Sequence, residues 1–218
     1  WMKSFNWLLV LSVLSCIGCS SPVHEDGRGC AFVSDSIQYR VEFMSAGCVR
    51  ILSFPEGDTL VTKRLVGDSE KPAFKDYKWE DTGQRLLFRT RELAVVFDKA
   101  DAAFIFQETS TGKLLLKEKG DRKARNFKRS VAGGEQCLEV TQRFVPTEDE
   151  AIYGLGQYQN GIMNYRGKSV LLLQANMDIV NPFLISTNGY GVLWDNYSST
   201  KFEDTKEGYS FTSEVGDA

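Results

Sequence analysis

Pro182-Phe-Leu-Ile-Ser-Thr-Asn-Gly-Tyr-Gly-Val-Leu-Trp194 is the stretch that decides the fold. Pro182–Ser186 and Gly191–Trp194 are short apolar runs, and Thr187-Asn-Gly189 between them is a tight-turn sequence. Thr-Asn-Gly between two apolar runs is a strong hairpin signal. Upstream, Ile152-Tyr-Gly-Leu-Gly-Gln157 sets two glycines among apolar residues. Glycine inside a strand marks a bulge or the close approach of another segment. The pair is not a dinucleotide fingerprint, since no third glycine follows at the right offset and no βαβ unit surrounds it.

The same grammar extends toward the N-terminus. Ile37-Gln-Tyr-Arg-Val-Glu-Phe43 alternates apolar and polar residues, as a half-buried strand does. Cys48–Phe54 follows Gly47 as a second strand and stops at Pro55. Leu86–Thr90 and Leu93–Phe97 read as two more, and Phe104–Glu108 with Leu114–Glu118 as a hairpin about Ser110-Thr-Gly112. Gln136–Phe144 alternates again. Strands recur about every ten residues with turn signals between them, and no long 3.6-period stretch appears; this pattern predicts an all-β sandwich. The basic run Lys119–Ser130 reads as a solvated loop, because no aromatic platform accompanies it to stack nucleic-acid bases.

The 218 residues hold 26 Lys+Arg against 29 Asp+Glu, a formal net charge of −3. With 42% hydrophobic and 25% charged residues, the composition is that of an ordinary globular domain and excludes collagen-like, low-complexity and wholly disordered chains. The near-balanced charge offers no footprint for nucleic acid. The single histidine, His24, excludes a histidine-based triad or a His-rich metal site.

The N-terminus reads as an address. Met2-Lys3 is a basic start and Trp7–Leu14 a short apolar segment. About a dozen apolar residues cannot span a bilayer core of roughly 30 Å as a helix. Small residues directly precede Cys19 (Gly18) and Cys16 (Ser15), a pattern that resembles a bacterial lipoprotein signal. The expectation is a signal over residues 1–19, lipidation at Cys19 (or Cys16), an exported protein anchored to the outer membrane or periplasmic, and a tether over 20–34 before a sandwich over 35–218. Cys30, Cys48 and Cys137 lack metal-ligand spacing and read as buried thiols. No metal site or cofactor is proposed.

Ile152–Gln157, Pro182–Ser186 and Gly189-Tyr-Gly-Val-Leu193 together resemble the N-terminal domain of glycoside hydrolase family 31, the retaining α-glycosidases. The likeness runs over residues 35–218, with specific motifs from about 148 onward. Gly156-Gln-Tyr-Gln159 and Trp194-Asp-Asn196 look most like exported bacterial α-xylosidases acting on xyloglucan fragments. The resemblance implies a galactose-mutarotase-like β-sandwich packed against the enzyme's own C-terminal (β/α)8 barrel. That barrel supplies an aspartate nucleophile and an aspartate acid/base, the two carboxylates about 5 Å apart that retention requires. A barrel takes about 250 residues, so it is absent from this chain, no catalytic residue is assigned here, and the sandwich is expected to be cut short at its C-terminal end. Neither Asp149 nor Asp217 is promoted to a nucleophile.

The resemblance further implies that a sandwich loop walls the sugar site. The family pattern there, an asparagine, one residue and an aspartate, corresponds to Asn176-Met177-Asp178. Asp178 is the candidate acceptor of sugar hydroxyls, with Asn176 orienting it or touching the sugar. Capping of a turn is the other reading of Asp178. Gln174-Ala175 stand where some members carry a tryptophan. Met177, Tyr158 and Tyr165 are candidates to line the sugar or to pack in the core, and Trp194 reads as core. The oligosaccharide is thus the expected small-molecule partner, with membrane contact through the lipid only. The alternatives are a stand-alone surface carbohydrate-binding lipoprotein and, within the family, an α-glucosidase or α-galactosidase. An epimerase on the same sandwich needs histidines that His24 alone cannot supply.

Overall fold

The computed structural model describes residues 22–58 and 73–215. The expected signal, Cys16 and Cys19 lie outside the described residues, as does Asp217. The first strands are β1 (His24–Glu25), β2 (Cys30–Ser34), β3 (Ile37–Ser45), β4 (Cys48–Pro55), β5 (Lys78–Asp81) and β6 (Arg85–Arg89). Next come β7 (Leu93–Asp98), β8 (Ala103–Glu108), β9 (Leu114–Glu118), β10 (Arg125–Ala132), β11 (Glu135–Val145) and β12 (Ile152–Gln157). The last are β13 (Ser169–Leu172), β14 (Ile179–Ser186), β15 (Tyr190–Leu193), β16 (Thr200–Thr205) and β17 (Gly208–Ser213).

They form three antiparallel sheets. One holds β1-β2-β3-β4, and a second holds β12-β14-β15. The third has ten strands in the order β13-β16-β17-β11-β9-β8-β7-β6-β5, with β10 also paired to β11. The two small sheets cover the same face of the large one. Directly opposed residues share a face, and the pairs Phe97–Phe104, Phe106–Leu116, Phe144–Glu118, Phe144–Tyr209 and Phe202–Phe211 carry one face from β7 through β8, β9, β11 and β17 to β16. Phe32, Tyr39 and Phe43 of the first small sheet pack on Phe88, Phe97 and Phe104. Ile152, Leu155 and Leu184 of the other pack on Phe144, Phe202 and Phe211. Phe106 borders both clusters, so the core is continuous. The architecture is the expected all-β sandwich.

Three expectations need correction. The tether over 20–34 is too long. Cys30, Phe32 and Ser34 alternate inward and are buried, and β2 pairs with β3 through a turn in which Asp35 and Ser36 both have positive φ. Small and polar neighbours hide that period-2 pattern. The basic run is only in part a solvated loop. Arg125 opens β10, and its guanidinium lies 5.1 Å from the Tyr39 ring centre and 5.2 Å from that of Phe104. It donates to Ser53 Oγ at 3.1 Å and pairs with Glu118, which accepts the Phe104 amide at 2.7 Å. Burial raises the Glu118 pKa against the pull of Arg125. Of the three thiols, Cys30 alone is buried, whereas Cys48 is exposed and Cys137 half-buried; all three are free. Burial pushes the Cys30 thiol up to about 11.

A candidate sugar-contact turn

The predicted site residues lie on the connection between β13 and β14, at residues 175–178. The Asp178 amide donates to the Ala175 carbonyl at 3.3 Å, leaving Asn176 and Met177 at the tip, with Met177 at φ 70°. The turn is held by Gln174. Its Nε2 donates to the Asp178 carbonyl at 2.7 Å, and its Oε1 accepts the Val180 amide at 3.1 Å. One side chain thus mimics a strand partner for the start of β14. Gln174, which with Ala175 stands where the resemblance puts a tryptophan in some members, carries the local geometry.

The other wall of the turn is set by Gly154-Leu155-Gly156, three consecutive residues with positive φ (104°, 65° and 118°). Gly154 pairs with Leu184 and Gly156 with Val180, so two steps along β12 face four along β14. Pro182 sits in that excess, where its missing N–H costs no ladder bond. A Cβ on Gly156 would lie 2.0 Å from the Ile179 carbonyl oxygen, and one on Gly154 would lie 2.5 Å from that of Phe183. Leu155 meanwhile is fully buried. The irregularity brings Gln157 opposite Ile179, next to Asp178.

Asn176 is exposed and Asp178 half-buried. Among the described residues the Asp178 carboxylate makes no hydrogen bond or ion pair; it caps no amide of the turn, whose closure falls to Gln174. Its charge is felt at the Tyr158 hydroxyl. Burial first, then Tyr165 and Asp178, push the Tyr158 hydroxyl up to about 12, so it stays protonated and donates to the Leu155 carbonyl at 3.0 Å. Tyr158 packs on the core, and Tyr165 is buried, edge-on to Phe202 at 6.2 Å. Trp194 stacks on Phe211 (5.4 Å, 8°) and donates its indole N–H to Ser213 at 2.8 Å, as a core residue does. Of the three candidates to line a sugar, Met177 is the one that projects freely, at 66% exposure.

Two networks that sequence reasoning missed anchor this region. Glu150, buried, accepts hydrogen bonds from Ser186 Oγ (2.7 Å), the Thr147 amide (2.8 Å) and the Tyr190 hydroxyl. Arg166 donates to Asp204 (2.7 Å) and to the carbonyls of Thr147 (3.2 Å) and Glu150 (2.8 Å). The capping pattern around Thr147-Glu-Asp-Glu150 was a legible signal for the first; nothing local announces the second. Two shallow surface cavities, of about 330 and 430 Å³, lie near Tyr39 and include neither Asn176 nor Asp178. No group of three or more metal-ligating side chains occurs among the described residues. Chemically, the turn presents one carboxylate and one carboxamide to solvent. A carboxylate and a carboxamide have the chemistry to hydrogen-bond hydroxyls, and the turn lacks the second carboxylate that retaining glycoside cleavage requires.

Residues 38–203 match the family model described as the glycosyl hydrolase 31 N-terminal galactose mutarotase-like domain. A relative named alpha-xylosidase from Saccharolobus solfataricus is 33% identical over 178 residues, covering 75% of this chain and 23% of that protein. An uncharacterized family 31 glucosidase of Pseudescherichia vulneris is 36% identical over 91 residues, covering 42% of this chain and 17% of its own length. The crystal structure of a GH31 alpha-xylosidase from Xanthomonas citri superposes with a TM-score of 0.70 at 30% identity, over 84% of this chain and 20% of that one. The chain therefore spans about a fifth of the length of these relatives. With its sandwich, its glycine-marked β12 and a model match over most of its length, the chain belongs to the family of glycosyl hydrolase 31 N-terminal galactose mutarotase-like domains.

Proposed function

We propose that these residues form the non-catalytic N-terminal domain of a retaining α-glycosidase and wall its sugar-binding site, with an α-xylosidase acting on xyloglucan oligosaccharides as the favoured enzyme. The observation that carries this reading is the unpaired Asp178 carboxylate, presented beside Asn176 on a turn clipped by Gln174. An ionised carboxylate with free lone pairs is a strong acceptor for sugar hydroxyls. The names of the Saccharolobus and Xanthomonas relatives support the choice of α-xyloside. The Pseudescherichia relative, named a glucosidase, supports α-glucoside as the second reading.

In this mechanism the domain contributes binding and orientation. The nucleophile and the acid/base come from a catalytic barrel elsewhere in the protein. The pattern Ser15-Cys16-Ile-Gly-Cys19 supports export and lipid anchoring at Cys19 or Cys16. Assay of aryl α-xyloside and α-glucoside tests the reading: the longer protein hydrolyses one of them, and residues 1–218 alone hydrolyse neither. Turnover by the 218-residue chain overturns it. Calorimetry with xyloglucan oligosaccharides separates the stand-alone binding lipoprotein, which binds by itself, from a half-site, which does not.

A further inference from the structure

Two asparagines in the chain precede a glycine, in Asn160-Gly161 and Asn188-Gly189. Glycine lacks the Cβ that crowds the backbone nitrogen of other residues, so both pairs are open to the same spontaneous reaction. The glycine nitrogen gives up its proton to solvent and attacks the asparagine Cγ. The carboxamide nitrogen takes up a proton and leaves as ammonia. A five-membered imide remains, which water opens to aspartate or isoaspartate. One water is consumed and one ammonia released, with no change of oxidation state. The attack requires the carboxamide to turn back over its own chain, with its nitrogen and the glycine amide both free.

The fold treats the two asparagines unequally. Asn160 is exposed on the connection between β12 and β13. Its Oδ1 accepts the Ile162 amide at 3.0 Å, and its Nδ2 makes no hydrogen bond among the described residues. Asn188, half-buried at the tip of the β14–β15 hairpin, is held on every side. Its Nδ2 donates to the Leu114 carbonyl at 3.0 Å and to that of Leu115 at 2.6 Å. β9 bulges there: Gln107 pairs with Leu114 and Phe106 with Leu116, so Leu115 has no partner on β8. Lys113 Nζ returns a bond to the Asn188 carbonyl at 2.8 Å. The Asn188 amide donates to Ser186 Oγ at 2.9 Å, and the Gly189 amide to the Ser186 carbonyl at 3.1 Å. The attacking nitrogen is thus engaged within the hairpin, while the carboxamide it must reach is bound to the ten-stranded sheet. Conversion of Asn188 would set a carboxylate against the two carbonyl oxygens, which lose their donor and repel the newcomer.

We propose that Asn188 is a guarded deamidation site. Its bonds to β9 keep it intact while the hairpin is docked, and conversion during an opening leaves a carboxylate that prevents the hairpin from docking again. Asn160 is its unguarded counterpart and converts in the folded protein. The test incubates the full-length protein at mildly alkaline pH, folded and in guanidinium, and follows the change from amide to acid at each asparagine by fragment-ion mass spectrometry. The expected result is similar rates for the two in guanidinium, with Asn188 slowed at least tenfold more than Asn160 by folding. Equal slowing of the two overturns the guard, and no conversion of Asn188 in guanidinium overturns the site. The release of the hairpin is read on Asn188→Asp, which supplies the product directly, with Asn188→Ala taking its place should that variant fail to fold. Hydrogen exchange at the Thr187 and Gly189 amides, bonded in the parent to the Ala151 and Ser186 carbonyls, is expected to quicken at least tenfold. Exchange as slow as in the parent overturns the release.

Discussion

Gln174 holds Asp178 by its main chain: the glutamine Nε2 donates to the aspartate carbonyl oxygen at 2.7 Å, leaving the aspartate side chain free. The residue that shapes the turn and the residue that faces solvent are therefore separable by mutation.

Gln174→Ala removes both side-chain bonds, one to the Asp178 carbonyl and one from the Val180 amide of β14. The expected cost is about 1 kcal/mol, a fall in melting temperature of roughly 2–4 °C for a domain of this size. The more specific reading is hydrogen exchange. The Val180 amide, bonded to Gln174 Oε1 at 3.1 Å, loses protection by about tenfold, while amides of β16 and β17 keep theirs.

Asp178→Ala is expected to leave stability within about 0.5 kcal/mol, as surface substitutions do. In the proposed longer enzyme it is expected to lower kcat/KM by roughly tenfold to a thousandfold, the loss of one or two charge-assisted hydrogen bonds to substrate. Steady-state kinetics check this. Unchanged kinetics would return Asp178 to the role of an ordinary loop carboxylate.

Arg125→Ala strands the Glu118 carboxylate, whose side chain is 3% exposed. Breaking a buried pair from one side costs about 3–5 kcal/mol. Combining Arg125→Met with Glu118→Gln recovers most of that loss, because the glutamine oxygen still accepts the Phe104 amide. Denaturant unfolding of the single and double variants measures both effects.

Acid sensitivity has a named contributor at the far edge of the large sheet. Lys99 donates to both Asp81 oxygens (2.8 and 2.9 Å), and this bond, aided by the Gly83 amide, holds the Asp81 pKa below its ordinary 3.8 despite partial burial. A lowered carboxylate pKa means that the unfolded state takes up the proton first. The contribution is therefore present above pH 3.8 and is withdrawn as the pH falls through the folded value. Asp81→Asn should flatten the acid limb of the melting-temperature profile and shift the neutral plateau little.

The parts of the fold visible in the sequence are those carried by near neighbours. Alternation along Ile37–Phe43 and Gln136–Phe144, and the Asn-Gly turn at 188–189, are local and survive reading one residue at a time. Cys30–Ser34 was lost because alanine and serine occupy a strand whose inward positions, Cys30 and Phe32, look like tether composition on a short window. Arg125 was lost for another reason. A cation becomes a core residue only when a carboxylate and two rings from three other strands converge on it, and sequence separation hides that convergence. At the candidate site, the choice of Asn176 and Asp178 came from the resemblance. Their support was not legible, since Gln174 acts through backbone groups that have no sequence identity at all.

For a library that tests the proposed sugar contact, the Gly154-Leu155-Gly156 segment divides the region into what can be randomised and what cannot. Its backbone dihedrals, and the absence of any room for a β-carbon at either glycine, exclude almost every alternative residue. A combinatorial library therefore belongs at the tip residues 176 and 177, where diversity is cheap. Spent on the glycines, it would return mostly unfolded clones.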